Sequence, residues 1–228
     1  MKTYGQFCPI SKAAEIFAER WTPLIIRELL MGSRKFSELE MGMAHIPRSL
    51  LTQRLRSLED AGVLVRKAEG NSKRPKYHLT EAGADLFDVV KGLGDWGQKW
   101  VNHDIKEEDV DPALLVWDMH RRVNVELLPQ SRVVVQMNFS GAAKGEYWLV
   151  LEKPEPSVCM IDTELNIDIF VHADTVAIHK VWLGLSSFAE CIDQGLIEID
   201  GMTALVDAFP AWFKLSYFSD IEPMVTNA

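Results

Sequence analysis

From residue 45 the chain reads HIPRSLLTQRLRSLEDAGVLVRK. In that stretch Arg48, Ser49, Thr52, Gln53 and Arg56 fall on one side of a helical pattern whose other side carries Leu51, Leu55 and Leu58. The chemistry open to such a stripe is recognition rather than bond making. A guanidinium can donate twice to the guanine edge, a glutamine amide matches adenine, and serine or threonine hydroxyls can position on phosphate. Downstream, Lys73, Arg74 and Lys76 crowd the end of an apparent hairpin, where cations can lie along phosphates or enter a minor groove. Each feature also has a plain explanation, since polar helix faces and charged hairpin tips both serve solubility.

Other chemistry is less well supported. Cys8 precedes Pro9 at a helix start, where the positive end of the helix dipole and nearby Lys12 favour a thiolate. Cys8, Cys159 and Cys191 are odd in number and scattered, so reduced thiols are expected rather than a disulfide framework. The run GLGDWG at 92–97 satisfies G-x-G-x-x-G, yet it lies inside a helical pattern, and a dinucleotide fingerprint needs a strand before it and a helix after it. His172 and His179 have no cysteine or carboxylate at ligand spacing, so no metal is expected. No Gly-x-Ser-x-Gly elbow or other nucleophile motif is present, so neither an enzyme nor a cofactor is expected.

The elements that must position the polar stripe are well punctuated. Cys8-Pro9 opens a first helix with Ala13, Ile16 and Phe17 on one face. Thr22-Pro23 supplies an N-cap and first-turn proline for a second, which Gly32 ends. Phe36, Leu39 and Met43 mark a short third helix, His45-Ile46 a turn, and residues 47–61 a fourth helix stopped by Gly62. VLVRKAE and PKYHLT read as two strands around a polar tip. A long helix follows Thr80, with Leu86, Val89, Leu93, Trp96 and Trp100 at the spacing of a packing seam; a second copy and the chain's own domain are its two candidate partners. Helix, turn, helix and two-stranded wing describe a winged helix, in which one helix enters the major groove and its predecessor braces it.

The net charge of −9 argues against a polyanionic partner only until it is mapped. Residues 1–103 carry 16 Lys/Arg against 12 Asp/Glu, whereas residues 104–228 carry 8 against 21. The opposed halves suggest two jobs, with the positive charge concentrated around the polar stripe. The acidic segment NHDIKEEDVDP marks the linker, placed at 104–111. No apolar run approaches the roughly 20 residues of a membrane span, and the N-terminus lacks a secretory apolar core, so a cytoplasmic protein with no membrane partner is expected.

The run RWTPLIIRELLMGSRKFSELEMGMAHIPRSLLTQRLRSLEDAGVLVRK, with CP before it and PKYHLTEAG after it, resembles the HxlR-type branch of winged-helix transcriptional regulators, in the MarR-like superfamily. The resemblance covers roughly residues 8–100. It implies a homodimer on a pseudo-palindromic double-stranded operator, joined through the long helix after the wing and the N-terminal segment. It also makes Cys8 a candidate thiol sensor, because some members use the cysteine of this CP pair in that way; the alternative is a small side chain at the dimer contact. One departure is Pro47, where the family usually has serine. Proline supplies neither a side-chain cap nor a hydroxyl.

Beyond the linker the pattern changes. Pro112 to about Leu128 reads as helix; RVVVQMNF, EYWLVLE, SVCMID and NIDIFVHA as strands; 174–194 as helix; LIEID as a strand; and 202–218 as helix. This is α+β with a mainly antiparallel sheet. NIDIFVHADTVAIHKVWLGLSSFAECIDQGLIEIDG followed by ALVDAFPAWFKL resembles the C-terminal part of sterol-carrier-protein-2-like domains. That likeness implies an apolar tunnel for a hydrophobic small molecule, with Trp148, Phe170, Trp182, Phe188, Phe209, Trp212 and Phe213 as candidate lining. The alternative for these aromatics is a filled core.

The expected organisation is a winged-helix DNA-binding and dimerisation domain at 1–103, the linker, and a ligand-binding domain at 112–228. The expected function is a homodimeric transcriptional regulator, with a lipid or small-molecule carrier as the rival.

Overall fold

A computed structural model describes residues 3–68, 74–101, 105–161 and 164–224. The chain divides into two compact units, Met1–Gly94 and Asp95–Ala228.

The first unit opens with α1 (Pro9–Phe17), α2 (Thr22–Leu30), α3 (Phe36–Met41) and α4 (Arg48–Asp60). Pro9 starts α1, as the CP pair predicts. In α2 the cap lies one residue earlier than expected: Trp21 occupies it at φ +77°, and Thr22 is already helical. Leu51, Leu55 and Leu58 of α4 close onto Ile25, Ile26, Leu29, Leu39 and Met43 in an aliphatic core. Gly62, at φ +73°, ends α4. Val63 N–H donates to the Leu58 carbonyl (2.9 Å) and Gly62 N–H to that of Glu59 (3.0 Å), the bond pair of a Schellman motif.

Strands β1 (Leu64–Lys67) and β2 (Lys76–Leu79) then pair antiparallel, from Leu64 with Leu79 to Lys67 with Lys76. Tyr77 N–H donates to the Arg34 carbonyl at 2.8 Å, which ties the hairpin to the α2–α3 loop.

The long helix expected after Thr80 is broken into α5 (Glu81–Ala84) and α6 (Phe87–Trp100). Gly83 sits where a Cβ would lie 2.1 Å from the Val63 carbonyl oxygen, so the chain crosses closely enough there to exclude any side chain. Along α6, Leu86, just before it, and Val90 pack on the aliphatic core, while Phe87, Val89, Leu93 and Trp96 are exposed. The GLGDWG glycines lie within α6, with no strand-turn-helix around them.

In the second unit, α7 (Pro112–Arg121) is capped by Asp111, whose carboxylate accepts from the N–H groups of Ala113 and Leu114. The sheet contains β3 (Val133–Ser140), β4 (Gly145–Leu151), β5 (Ser157–Cys159), β6 (Ile169–Asp174) and β7 (Ile197–Gly201), in the order β5-β4-β3-β6-β7. Among the described strands only β3 and β6 run parallel, so the sheet is mainly antiparallel.

Three helices expected as long runs are cut short or subdivided: the run from Pro112 to about Leu128 ends as α7 at Arg121, with a 3-10 turn at Val125–Leu127. Residues 174–194 give α8 (Thr175–Trp182) and α9 (Phe188–Asp193), parted at Gly184 (φ +75°) and restarted by a capping box between Ser187 and Glu190. Residues 202–218 give α10 (Thr203–Ala208) and a 3-10 turn at Phe209–Trp212 that contains Pro210, after which Phe213 bridges to Val123. Leu149, Leu151, Ile169, Val171 and Ala173 face the helices and share a core with Phe209, Trp212 and Phe213.

Candidate nucleic-acid interface

The reading stripe is built by alternation on α4. Its three leucines are at most 2% exposed, whereas Arg48, Ser49, Gln53 and Arg56 are exposed and Thr52 is half-buried beside them. Pro47 is the N-cap, in extended conformation, and makes no side-chain cap. Its carbonyl accepts from Leu51 N–H at 2.9 Å. The turn before it holds His45 at φ +74° and buries Ile46.

The stripe residues are not equally available. The side chains of Gln53 and Arg56 make no hydrogen bond among the described residues. The Thr52 hydroxyl donates to the Arg48 carbonyl at 2.9 Å, so toward an outside partner it can only accept. Arg48 Nε lies 3.1 Å from Glu40 Oε1 and its guanidinium over the Phe36 ring at 5.4 Å, which aims it from the end of α3 while leaving it 77% exposed. Arg54 is in the same segment but plays a different part. Its Nη2 is 2.7 Å from Glu19 Oε2 and its Nε donates to the Arg20 carbonyl, bracing α4 against the α1–α2 turn.

α3 is held at its start by Glu38, whose carboxylate accepts from the N–H groups of Arg34 (2.7 Å) and Lys35 (2.9 Å). Burial works to raise this carboxyl, but those two donors and the Lys35 ammonium outweigh it, leaving its pKa below the usual carboxylate range. In the wing, Arg66 is hydrogen-bonded to Glu59 of α4 at 2.8 Å, which raises its pKa. Arg74 is exposed and Lys76 half-buried at the start of β2; Lys73 and the rest of the tip, residues 69–73, lie outside the described residues.

Cys8 caps α1 and is half-buried. Its thiol pKa is lowered, first by the Ser11 N–H and then by that of Ile10. Lys12, expected to contribute, instead pairs with Glu15 at 3.2 Å.

The seven C-terminal aromatics do not share one site. Strand alternation places Trp148 and Phe170 on the sheet face opposite the core, each in register with Gln136 of β3. Trp148 is buried there, with an indole N–H that has no hydrogen-bond partner among the described residues. Trp182, Phe188, Phe209, Trp212 and Phe213 gather on the helical side, with Phe209 edge-on to Phe188, Trp212 and Phe213. A small recess is lined by Trp182, Phe188 and Phe213 with Met119, Ile178, Val181 and Leu215; its free volume of about 10 Å³ is roughly what one water requires. Among the described residues no group of three His, Cys, Asp or Glu is placed to hold a metal ion. His179 is committed to structure: Nδ1 lies 2.6 Å from the Thr175 carbonyl, Nε2 accepts from Asp111 N–H at 3.2 Å, and burial lowers its pKa.

Pattern reading missed Glu28, a carboxylate buried inside α2 with Arg27 and Ser33 as partners. The one trace it leaves in sequence is a charged pair within the apolar run LIIRELL.

A bracing helix, a turn, an exposed polar helix and an antiparallel wing define the winged helix-turn-helix class. The chain belongs to the HxlR-like helix-turn-helix family, whose model matches residues 16–105. An HTH-type transcriptional regulator of Mycobacterium tuberculosis is 36% identical over 117 residues, covering 46% of this chain and 73% of the relative. YvaP, an HTH-type transcriptional regulator of Bacillus subtilis, is 33% identical over 100 residues, covering 43% of this chain and 93% of the relative. Among solved structures, the redox regulator HypR in its reduced form is 25% identical, with a TM-score of 0.38 over 40% of this chain and 91% of that one. The protein is a transcriptional regulator of the HxlR type, and no helix among its described residues is long and apolar enough to cross a membrane.

Proposed function

We propose that the protein binds double-stranded operator DNA as a homodimer in the cytoplasm, with α4 in the major groove and the wing on the flanking backbone. The observation that carries this reading is the exposed stripe of Arg48, Ser49, Gln53 and Arg56 on the side of α4 opposite its buried leucines. Gln53 and Arg56 face base edges. Arg48, at a helix N-terminus without a side-chain cap, suits phosphate, and Arg74, Lys76 and Lys73 extend the phosphate contacts. A second copy covers the exposed Phe87, Val89, Leu93 and Trp96 of α6, and the exposed Tyr4, Phe7 and Ile10 of the N-terminal segment, since large apolar side chains are costly to leave in water. In this plan residues 1–103 bind DNA and dimerise, 104–111 link, and 112–228 form a sterol-carrier-protein-2-like domain.

That second domain is the sensing part of the proposal. A hydrophobic small molecule would enter at the recess by parting Trp182, Phe188 and Phe213, and would act on the operator only through unequal affinity for two states. Cys8 is proposed as a thiol sensor on the strength of the donors that favour its thiolate.

Selection of duplexes from a random pool at stated salt tests the reading. A two-fold symmetric site with binding that weakens steeply with salt is expected. Salt-insensitive binding, or failure to enrich any sequence, would remove it.

A further inference from the structure

The turn of the helix-turn-helix hangs on one buried carboxylate. Glu28 of α2 is 0% exposed. Its Oε1 accepts from Arg27 Nη2 at 2.8 Å and its Oε2 from the Ser33 hydroxyl at 3.0 Å. The same Arg27 Nη2 donates to the Gly42 carbonyl at 2.7 Å, in the turn that leads to α4. A Cβ on Gly42 would lie 1.9 Å from Glu28 Oε2 and 2.0 Å from its Cδ, so the carboxylate fills the space that a side chain at 42 would need. The second helix, the loop after it and the turn before the reading helix are therefore fastened at one point.

A buried ion pair is a poor source of net stability, because desolvating both charges offsets their attraction. What it supplies is direction. Apolar packing of α3 and α4 against α2 sets their angles only to within roughly 15–20°. Hydrogen bonds to a carboxylate and a carbonyl weaken steeply off-axis. A bidentate base contact from α4 depends on that angle, whereas phosphate attraction does not.

We infer that Glu28, acting through Arg27 and Gly42, is a positioning residue for α4 that sets sequence discrimination rather than affinity for DNA as such. The inference rests on the proposed reading of DNA by α4.

The test uses the full chain, a duplex that the wild type selects from a random pool, and a scrambled duplex of equal length, over one matched series of salt concentrations and well below each unfolding midpoint. Glu28→Gln keeps the shape and removes the charge. The ratio of selected to scrambled affinity falls by about tenfold or more, while scrambled affinity and its salt slope stay as in wild type. In the double variant Glu28→Ala with Gly42→Ala, the added methyl fills vacated space. It raises the unfolding midpoint relative to Glu28→Ala without restoring the ratio. An unchanged ratio in folded Glu28→Gln overturns the inference, and so does a restored ratio in the double variant, which would show that filling space suffices. Ser33→Ala, a milder change, shifts the ratio in the same direction by less; should Glu28→Gln not fold, no shift in Ser33→Ala overturns it. A wild type that selects no sequence overturns the DNA reading itself, and the inference with it.

Discussion

The two units treat their large side chains in opposite ways. In Met1–Gly94 the core itself is aliphatic: Phe17, Trp21, Phe36 and Tyr77 pack against it only partly buried, while Phe7 is 99% exposed and Phe87 half-exposed. In Asp95–Ala228 the aromatics are drawn inward, and Phe209 and Trp212 are among the most buried side chains of the protein. The polar residues divide likewise. The first unit displays Ser49, Gln53 and Arg56 on a helix held from behind, whereas the second commits His179 to two backbone bonds. On the proposed reading, the first unit recognises with groups it already presents, whereas the second has to be opened before its packed groups can meet a ligand.

The largest effects should sharpen that contrast. Phe209→Ala removes the ring at the centre of the aromatic group and should cost about 3 to 5 kcal/mol. Hydrogen exchange should show lost protection in β3, β4 and β6 with α4 unchanged; equal loss in α4 would mean that both units unfold as one. Trp96→Asp should leave folding intact and shift the protein toward monomer in sedimentation, with operator affinity falling in parallel; an unchanged mass would break the dimer proposal. Arg56→Ala should cost about 1 to 3 kcal/mol at particular base positions, read by binding to singly substituted duplexes. A uniform loss across all positions would reassign Arg56 to phosphate.

A smaller effect belongs to His179. Burial lowers its folded-state pKa below the ordinary 6.5, so the unfolded chain binds the extra proton first. Its contribution to stability is full above about 6.5 and is lost as pH falls through that value toward the lowered one. His179→Gln should flatten this part of the stability profile of the second unit, and a profile identical to wild type would show that His179 is not its source. Smallest of all, Cys8→Ser should change stability by no more than about 0.5 kcal/mol. It should remove the fastest phase of alkylation near neutral pH, leaving the slower reaction of half-buried Cys159, with Cys191 buried.

Much of the winged helix was legible because its periodicities are clean. Three leucines at helical spacing, Gly62 as a stop and proline at helix starts are local signals, and each marks the element that forms. What was not legible depends on contacts between segments. The break after Ala84 comes just beyond Gly83, whose close approach to the Val63 carbonyl no helical pattern encodes. Burial of Glu28 requires Gly42 to vacate its space, which no helical pattern encodes. In the sheet, β4 and β6 carry large apolar residues on both faces, so alternation could not reveal that Trp148 and Phe170 point away from the other five aromatics. Thr52 illustrates the same limit at one atom: its place on the stripe was visible, but the commitment of its proton to Arg48 was not.

Thr80 carries a consequence for how such a protein can diversify. Its hydroxyl donates to the Gly62 carbonyl (2.6 Å), lies 3.1 Å from that of Val63, and accepts from Gly83 N–H at 3.1 Å. One side chain thus closes the base of the hairpin, joining the end of the reading helix to the start of α5. This closure is made outside the stretch between Lys67 and Lys76, so it does not depend on the length or sequence there. On the proposed reading of DNA, the wing is then a part that can vary beside the operator while α4 keeps its register.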